Sequence, residues 1–205
     1  MTTNTRTLRW LLVVPVVLWI IVFAWKPLPF WDLMVPSMAI LLILAVLLRG
    51  SAFKLERPTG FDVLSGIGSA AVLYGVFKLG SIIAPLILPG AQTDIGGVYG
   101  MTSSISPVLI SCFLLFIIGP AESLFWQGTV QATWMDRFGK NAGWLMTAGF
   151  YGAIHIASLN PMLVTAALTA GLGWGLQYRL QGRIWAIVVS HALWDFSILV
   201  LWPIK

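Results

Sequence analysis

Long apolar runs, nearly free of charge, follow one another along this chain and limit what it can fold into. They lie at Leu8–Trp25, Asp32–Leu48, Phe61–Leu88, Pro107–Met135, Ala142–Ala157, Pro161–Tyr178 and Ile184–Trp202. Each comes close to, or exceeds, the roughly 20 residues a helix needs to cross a bilayer. None alternates in short segments as barrel strands do, so a backbone in lipid must satisfy itself as helices. Only 9% of the residues are charged and 59% are hydrophobic. Such a chain cannot clothe a water-facing surface, which excludes a soluble domain, and it has the opposite balance to a disordered one. The expected fold is all-α, a polytopic transmembrane helical bundle of about seven spans. The count becomes eight if the third run, which contains Lys78, Gly80 and Pro85, divides into a span and a re-entrant piece.

Charge orients the bundle. With the N-terminus inside, Arg6, Arg9, Arg49, Lys54, Arg57, Arg137, Lys140, Arg179 and Arg183 fall on the cytoplasmic side, and only Lys26 and Lys205 fall outside. The positive-inside rule therefore gives an N-in protein. The first run ends in Trp25, Lys26 and Pro27 with no small-x-small site after it, so it reads as an uncleaved span. The formal charge of +5 is scattered rather than clustered, which argues against a nucleic-acid partner. Gly139, Asn141 and Gly143, then Asn160 and Pro161, then Gln181 and Gly182, mark the last three turns. Gly90–Ser106 is the longest polar stretch and divides the chain into N-terminal helices (1–100) and a second half (105–205). Cys112, the single cysteine, reads as a small buried apolar residue. Trp10, Trp25, Trp31, Trp144 and Trp202 sit near span ends, as interfacial anchors do. Trp126 and Trp194 are expected in the core.

Ionisable groups inside spans are costly and therefore informative. They are Lys78, Glu122, His155, His191 and Asp195. Lys78 is expected to snorkel or pair. From helix rise, Glu122 lies about 20 Å from the cytoplasmic end of its span, His155 and Asp195 slightly less, and His191 about 10 Å. His191 and Asp195 are four apart and share a helix face, as do Tyr151 and His155. Four such groups at one depth can satisfy one another only by converging, and carboxylates with imidazoles in a wet cavity are equipment for activating water.

Three strings give these residues a wider context. Gly119-Pro120-Ala121-Glu122-Ser123-Leu124-Phe125-Trp126-Gln127-Gly128 resembles the first motif, Glu-Glu-x-x-x-Arg, of the CPBP (Abi) family of intramembrane proteases, which includes the type II CAAX prenyl endopeptidases. Tyr151 to His155 is similar to its second motif, Phe-x-x-x-His, with Tyr for Phe. His191 to Asp195 is similar to the third, His-x-x-x-Asn/Asp. The resemblance covers about Pro107 to Trp202. It implies an endopeptidase acting on a membrane-associated, conceivably prenylated, peptide or protein. It also implies that Glu122, His155, His191 and Asp195 are the catalytic set, and that Glu122 is the base. A multi-pass protein of a prokaryotic cell membrane follows from the same likeness; oligomeric state does not.

This chain departs from the first motif at Ser123 and Gln127, where the second Glu and the Arg would stand. Two charges four apart can pair, and here both are absent together, leaving a Ser–Gln pair able to hydrogen-bond. A non-catalytic scaffold or immunity-type relative of the same fold is the alternative these two positions raise. In the implied reaction His155 positions the water that Glu122 activates, and His191 faces the oxyanion. Asn at 195 would donate to that oxyanion; Asp195 serves instead by keeping His191 a charged donor. Pro120 is expected to restart the helix and place Glu122 near free N–H groups. Glu122, the histidines and Asp195 are also conceivable zinc ligands, though the helical His-Glu-x-x-His signature is absent and we rank a metal-free site above zinc.

Overall fold

The structure is a computed structural model that describes residues 5–49, 57–102 and 104–204. Every regular element among them is helical. Helix α1 runs Thr5–Trp19 and continues as a wide turn over Ile20–Trp25, α2 is Phe30–Arg49, α3 is Gly60–Ile87 and α4 is Ala91–Gly100. Helix α5 spans Pro107–Phe138. Helix α6 is Lys140–Ile154, prolonged by a tight turn at His155–Ser158; α7 is Pro161–Gln181; and α8 spans Ile184–Leu201.

Local chemistry sets the ends of these helices. Thr59 caps α3 in a reciprocal box with Asp62: its side chain accepts from the Asp62 N–H, and its own N–H donates to the Asp62 carboxylate at 2.7 Å. Ser106 caps α5 ahead of Pro107, and Asn160 caps α7 ahead of Pro161. Gly139 and Gly182 take positive φ at the turns α5–α6 and α7–α8.

Phe30–Leu48, Gly60–Ile87, Pro107–Phe138 and Ile184–Leu201 are each long and apolar enough to cross a membrane, and Arg9–Trp25 is a shorter apolar helix. The other two expected spans are helices α6 and α7, one only 15 residues long and the other diluted by Gly, Thr, Gln and Arg. The third run is one unbroken helix with Pro85 in its last turn, so the hydrogen bond that proline removes lies close to the helix end. The polar stretch after it contains a helix, α4. Leu47, Leu64, Leu86 and Phe116 are each more than 70% exposed, a surface that only lipid can cover. The protein is a multi-pass helical membrane protein.

Helices α1 and α2 join α5 and α6 in one apolar core, in which Trp19, Met38, Phe125 and Trp126 are almost fully buried. The two halves of the chain thus share their packing. Small residues allow close helix crossings. A Cβ on Gly119 would lie 2.7 Å from the Ala192 Cα, and one on Gly66 2.7 Å from the Val189 Cβ. The first contact brings α5 against α8 one turn from Glu122. Two expectations are corrected, and two residues escape description. Cys112 is exposed, because its side of α5 faces outward. Trp31 is buried, its indole N–H donating to the Met101 carbonyl at 3.0 Å. Lys54 and Lys205 lie outside the described residues.

Candidate active site

Helix α5 carries Glu122 between two wide turns, Leu114–Ile118 and Trp126–Gln131. The Gly119 N–H bonds five residues back, to the Leu114 carbonyl, so the helix absorbs Pro120 without a break. Glu122 therefore does not lie at a helix start, contrary to the expectation from the Gly-Pro pair. Wide turns of this kind recur at functional sites because they re-aim side chains within a continuous helix.

The carboxylate is buried. The Tyr151 hydroxyl donates to its Oε2 at 2.6 Å, and His191 Nε2 stands 3.7 Å from the same oxygen. One turn along α8, Asp195 Oδ2 lies 3.5 Å from that nitrogen. Two carboxylates face Nε2, so we assign the ring proton there. Nδ1 then accepts from the Ser123 hydroxyl at 3.2 Å. Trp174 stacks on the imidazole with ring centroids 3.8 Å apart, and its own N–H donates to Ser190 at 3.0 Å. The ring is fixed from its face and through Nδ1, with Nε2 facing the two carboxylates.

His155 is placed differently. Its Nε2 accepts the Trp19 indole N–H at 3.1 Å, which fixes the proton on Nδ1, where it is donated to the Tyr151 carbonyl at 2.7 Å. Both nitrogens are engaged, and Tyr151 links His155 to Glu122 through its backbone carbonyl and its hydroxyl. Lys78 is exposed on α3, away from this cluster. The Ser123 partner is His191 rather than Gln127: an imidazole nitrogen is in reach, and no bond joins Ser123 to Gln127 among the described residues. Trp126 packs in the core as expected, its ring 5.0 Å from that of Tyr151.

Glu122, Tyr151, His155, His191 and Asp195 all line one cavity of about 310 Å³, otherwise mostly apolar. Residues from the first three helices, such as Phe30, Met34 and Phe77, complete its wall. His155 Nε2 is engaged by the Trp19 indole N–H, so in this arrangement it is not available to a metal. Among the described residues no group of three or more His, Cys, Asp or Glu is arranged to hold a metal ion.

Tyr151, Trp19 and Trp174 are the site residues that sequence reasoning missed. The spacing of Tyr151 and His155 was a usable signal. Nothing local marked Trp19, which comes from a helix without a motif and lies 136 positions from its partner.

A helical membrane protein with a buried carboxylate–imidazole cluster in an apolar cavity is the class that fold and site define. Residues 104–197 match the family model of the Rce1-like type II CAAX prenyl endopeptidases. That is a protease family, as the three motifs implied. No curated protein and no solved structure gives a match.

Proposed function

We propose that the protein is an intramembrane endopeptidase of a prokaryotic cell membrane, in which Glu122 activates water. The observation that carries this reading is Glu122 itself: a buried carboxylate at the wall of an apolar cavity, held by Tyr151 and within 4 Å of His191. Glu122 takes a proton from water as the water oxygen attacks the scissile carbonyl. The new oxyanion accepts from His191 Nε2–H. Protonated Glu122 is a weaker acceptor than the carboxylate, so the Tyr151 hydroxyl is released to donate to the same oxyanion, a donor that Asp195 does not supply. On collapse the C–N bond breaks and Glu122 returns its proton to the leaving amine. Asp195 and Ser123 hold the His191 ring; His155 acts as a positioning residue, holding the Tyr151 backbone.

No Lys or Arg lines the cavity among its described residues, so a free terminal carboxylate next to the scissile bond meets no basic side chain and stands near two carboxylates. That favours internal cleavage of an apolar segment over removal of a terminal residue. A lipid-modified peptide fits the same apolar wall. The reaction as written is metal-free.

The test is peptide cleavage by purified protein in detergent, read by mass spectrometry. Wild type and Glu122→Gln are run on a library of prenylated and unmodified peptides, with and without chelator. Cleavage that is lost in the variant and indifferent to chelator is the expected result; loss with chelator would make the site metal-dependent. The second reading, a non-catalytic relative that holds a peptide in this cavity, is favoured by Ser123 and Gln127. It predicts peptide retention without cleavage in both proteins.

A further inference from the structure

The two ends of the bundle are closed to different degrees. Arg57, Arg137, Lys140, Arg179 and Arg183 sit at one end, which the positive-inside rule makes cytoplasmic. Between that end and the cluster, α3 is packed tightly on α7 and α8. A Cβ on Gly173 would lie 3.0 Å from Leu73, the Ser190 hydroxyl donates to Ser69 at 3.1 Å, and Gln177 reaches the Ser65 carbonyl at 3.4 Å. Below these, Arg183 grips the Asp62 carboxylate through two nitrogens at 2.5 and 2.6 Å.

Toward the other end the same helices part. The cavity continues from Asp195 between the second half of α3 (Phe77, Ser81) and the first half of α7 (Met162, Thr165, Thr169), under α4. None of its described lining residues comes from the basic end; Trp174 is the α7 position nearest to it. The hydroxyls of Ser81, Thr165 and Thr169 each donate to a carbonyl of their own helix, at 2.8 to 2.9 Å, so the opening presents little unsatisfied polarity. Thr165 is exposed.

We infer that the candidate site is entered only from the non-cytoplasmic half of the membrane, between α3 and α7. Its substrate is then an apolar segment of a membrane-associated protein presented on that side, not one delivered from the cytoplasm. The substrate part of this inference rests on the proteolytic reading above; the route of entry does not.

The experiment uses the full chain with Cys112→Ser, which removes the only cysteine. Single cysteines are then introduced at Ser81→Cys and Thr169→Cys in the cavity, at Gln92→Cys on exposed α4, and at Lys140→Cys on the exposed basic end. A membrane-impermeant maleimide is applied to right-side-out and to inside-out vesicles of a bacterial host. The expected result is labelling of the two cavity cysteines together with Gln92→Cys in right-side-out vesicles. That labelling is lost in inside-out vesicles, where only Lys140→Cys reacts. Cavity cysteines that follow Lys140→Cys, or that stay unlabelled from both sides while Gln92→Cys reacts, overturn the route. Gln92→Cys reacting in inside-out vesicles overturns the side. No step requires activity, so absence of cleavage in the peptide assay counts against the protease and leaves this result standing.

Discussion

Asp62 and Glu122 are both buried carboxylates, and the bundle treats them in opposite ways. Asp62, at the basic end, has a guanidinium on both oxygens and a helix cap besides. Glu122, at mid-depth, has one phenolic hydroxyl, an imidazole beyond hydrogen-bonding distance, and a cavity in front of it. A fully matched carboxylate fastens helices together and has no capacity left for a reaction. A carboxylate with one neutral donor and space beside it can exchange a proton. The comparison separates a fastening from a site using chemistry alone, although the residue types are nearly the same.

Glu122→Gln should have the largest effect on activity. The amide still accepts from Tyr151 and keeps the shape, but it cannot take a proton. Cleavage should fall by about 10²- to 10⁴-fold, the usual contribution of a general base. Thermal unfolding in detergent should stay close to wild type. Equal cleavage by both proteins would remove Glu122 from the chemistry.

Asp62→Ala should show the reverse pattern. Arg183 loses the carboxylate at the junction of α3 and α8, and Thr59 loses half of its capping box. Breaking a dry ion pair costs about 3–5 kcal/mol, and since the Arg183 side chain is a quarter exposed the loss here should be nearer 2–3 kcal/mol. Thermal unfolding should drop accordingly, while the pH profile of cleavage measured well below the transition keeps its shape. Adding Arg183→Met should recover part of the loss, because the charge that Asp62 balanced then goes too.

The two carboxylates were also unequally legible in the sequence. Glu122, His191 and Asp195 could be read because polar residues are rare in apolar helices, and helix rise converts position into depth. The i, i+4 spacing then fixed a shared face for His191 and Asp195. Asp62 was invisible as a fastening, since its partner is 121 positions away and salt bridges leave no periodic trace. Cys112 was misread because in lipid an exposed face is as apolar as a core, so composition does not tell the two apart. Helix α4 was hidden by its own glycines, and its place comes from tertiary contacts such as Asn160 donating to the Asp94 carbonyl. Spacing along one helix suggested a Ser123–Gln127 pair, while the contacts of the motif departures run between helices. Ser123 and Tyr151 turn out to bond the cluster itself, and that pairing exists only in three dimensions.

Tyr151→Phe sharpens the account of Glu122. It removes one hydroxyl, and Phe is the residue that the second motif usually carries. If Tyr151 donates to the oxyanion, kcat should fall about 10- to 100-fold, toward the lower end of what such donors contribute, because His191 remains. KM should change little, since the bond strengthens only after water has attacked. A rise in KM at constant kcat would make Tyr151 a wall of the substrate cavity and nothing more.

Trp19→Phe is the mildest change and decides what His155 does. The variant keeps an aromatic ring among Phe23, Trp126 and His155 but removes the indole N–H from His155 Nε2. Loss of one buried hydrogen bond should lower stability by about 1–2 kcal/mol. The Nδ1 bond to the Tyr151 carbonyl survives, so a His155 that merely positions should leave kcat within about 10-fold of wild type, a shift of under 1.4 kcal/mol in the barrier. A larger fall in kcat, with the stability loss no greater than expected, would mean that Nε2 takes part in the chemistry through its orientation. His155 would then belong beside the attacking water, and the contact with Trp19 would be a resting arrangement that substrate displaces. The same variant exposes a nitrogen able to bind metal, so chelator sensitivity appearing only in Trp19→Phe would show that the indole keeps this site free of zinc.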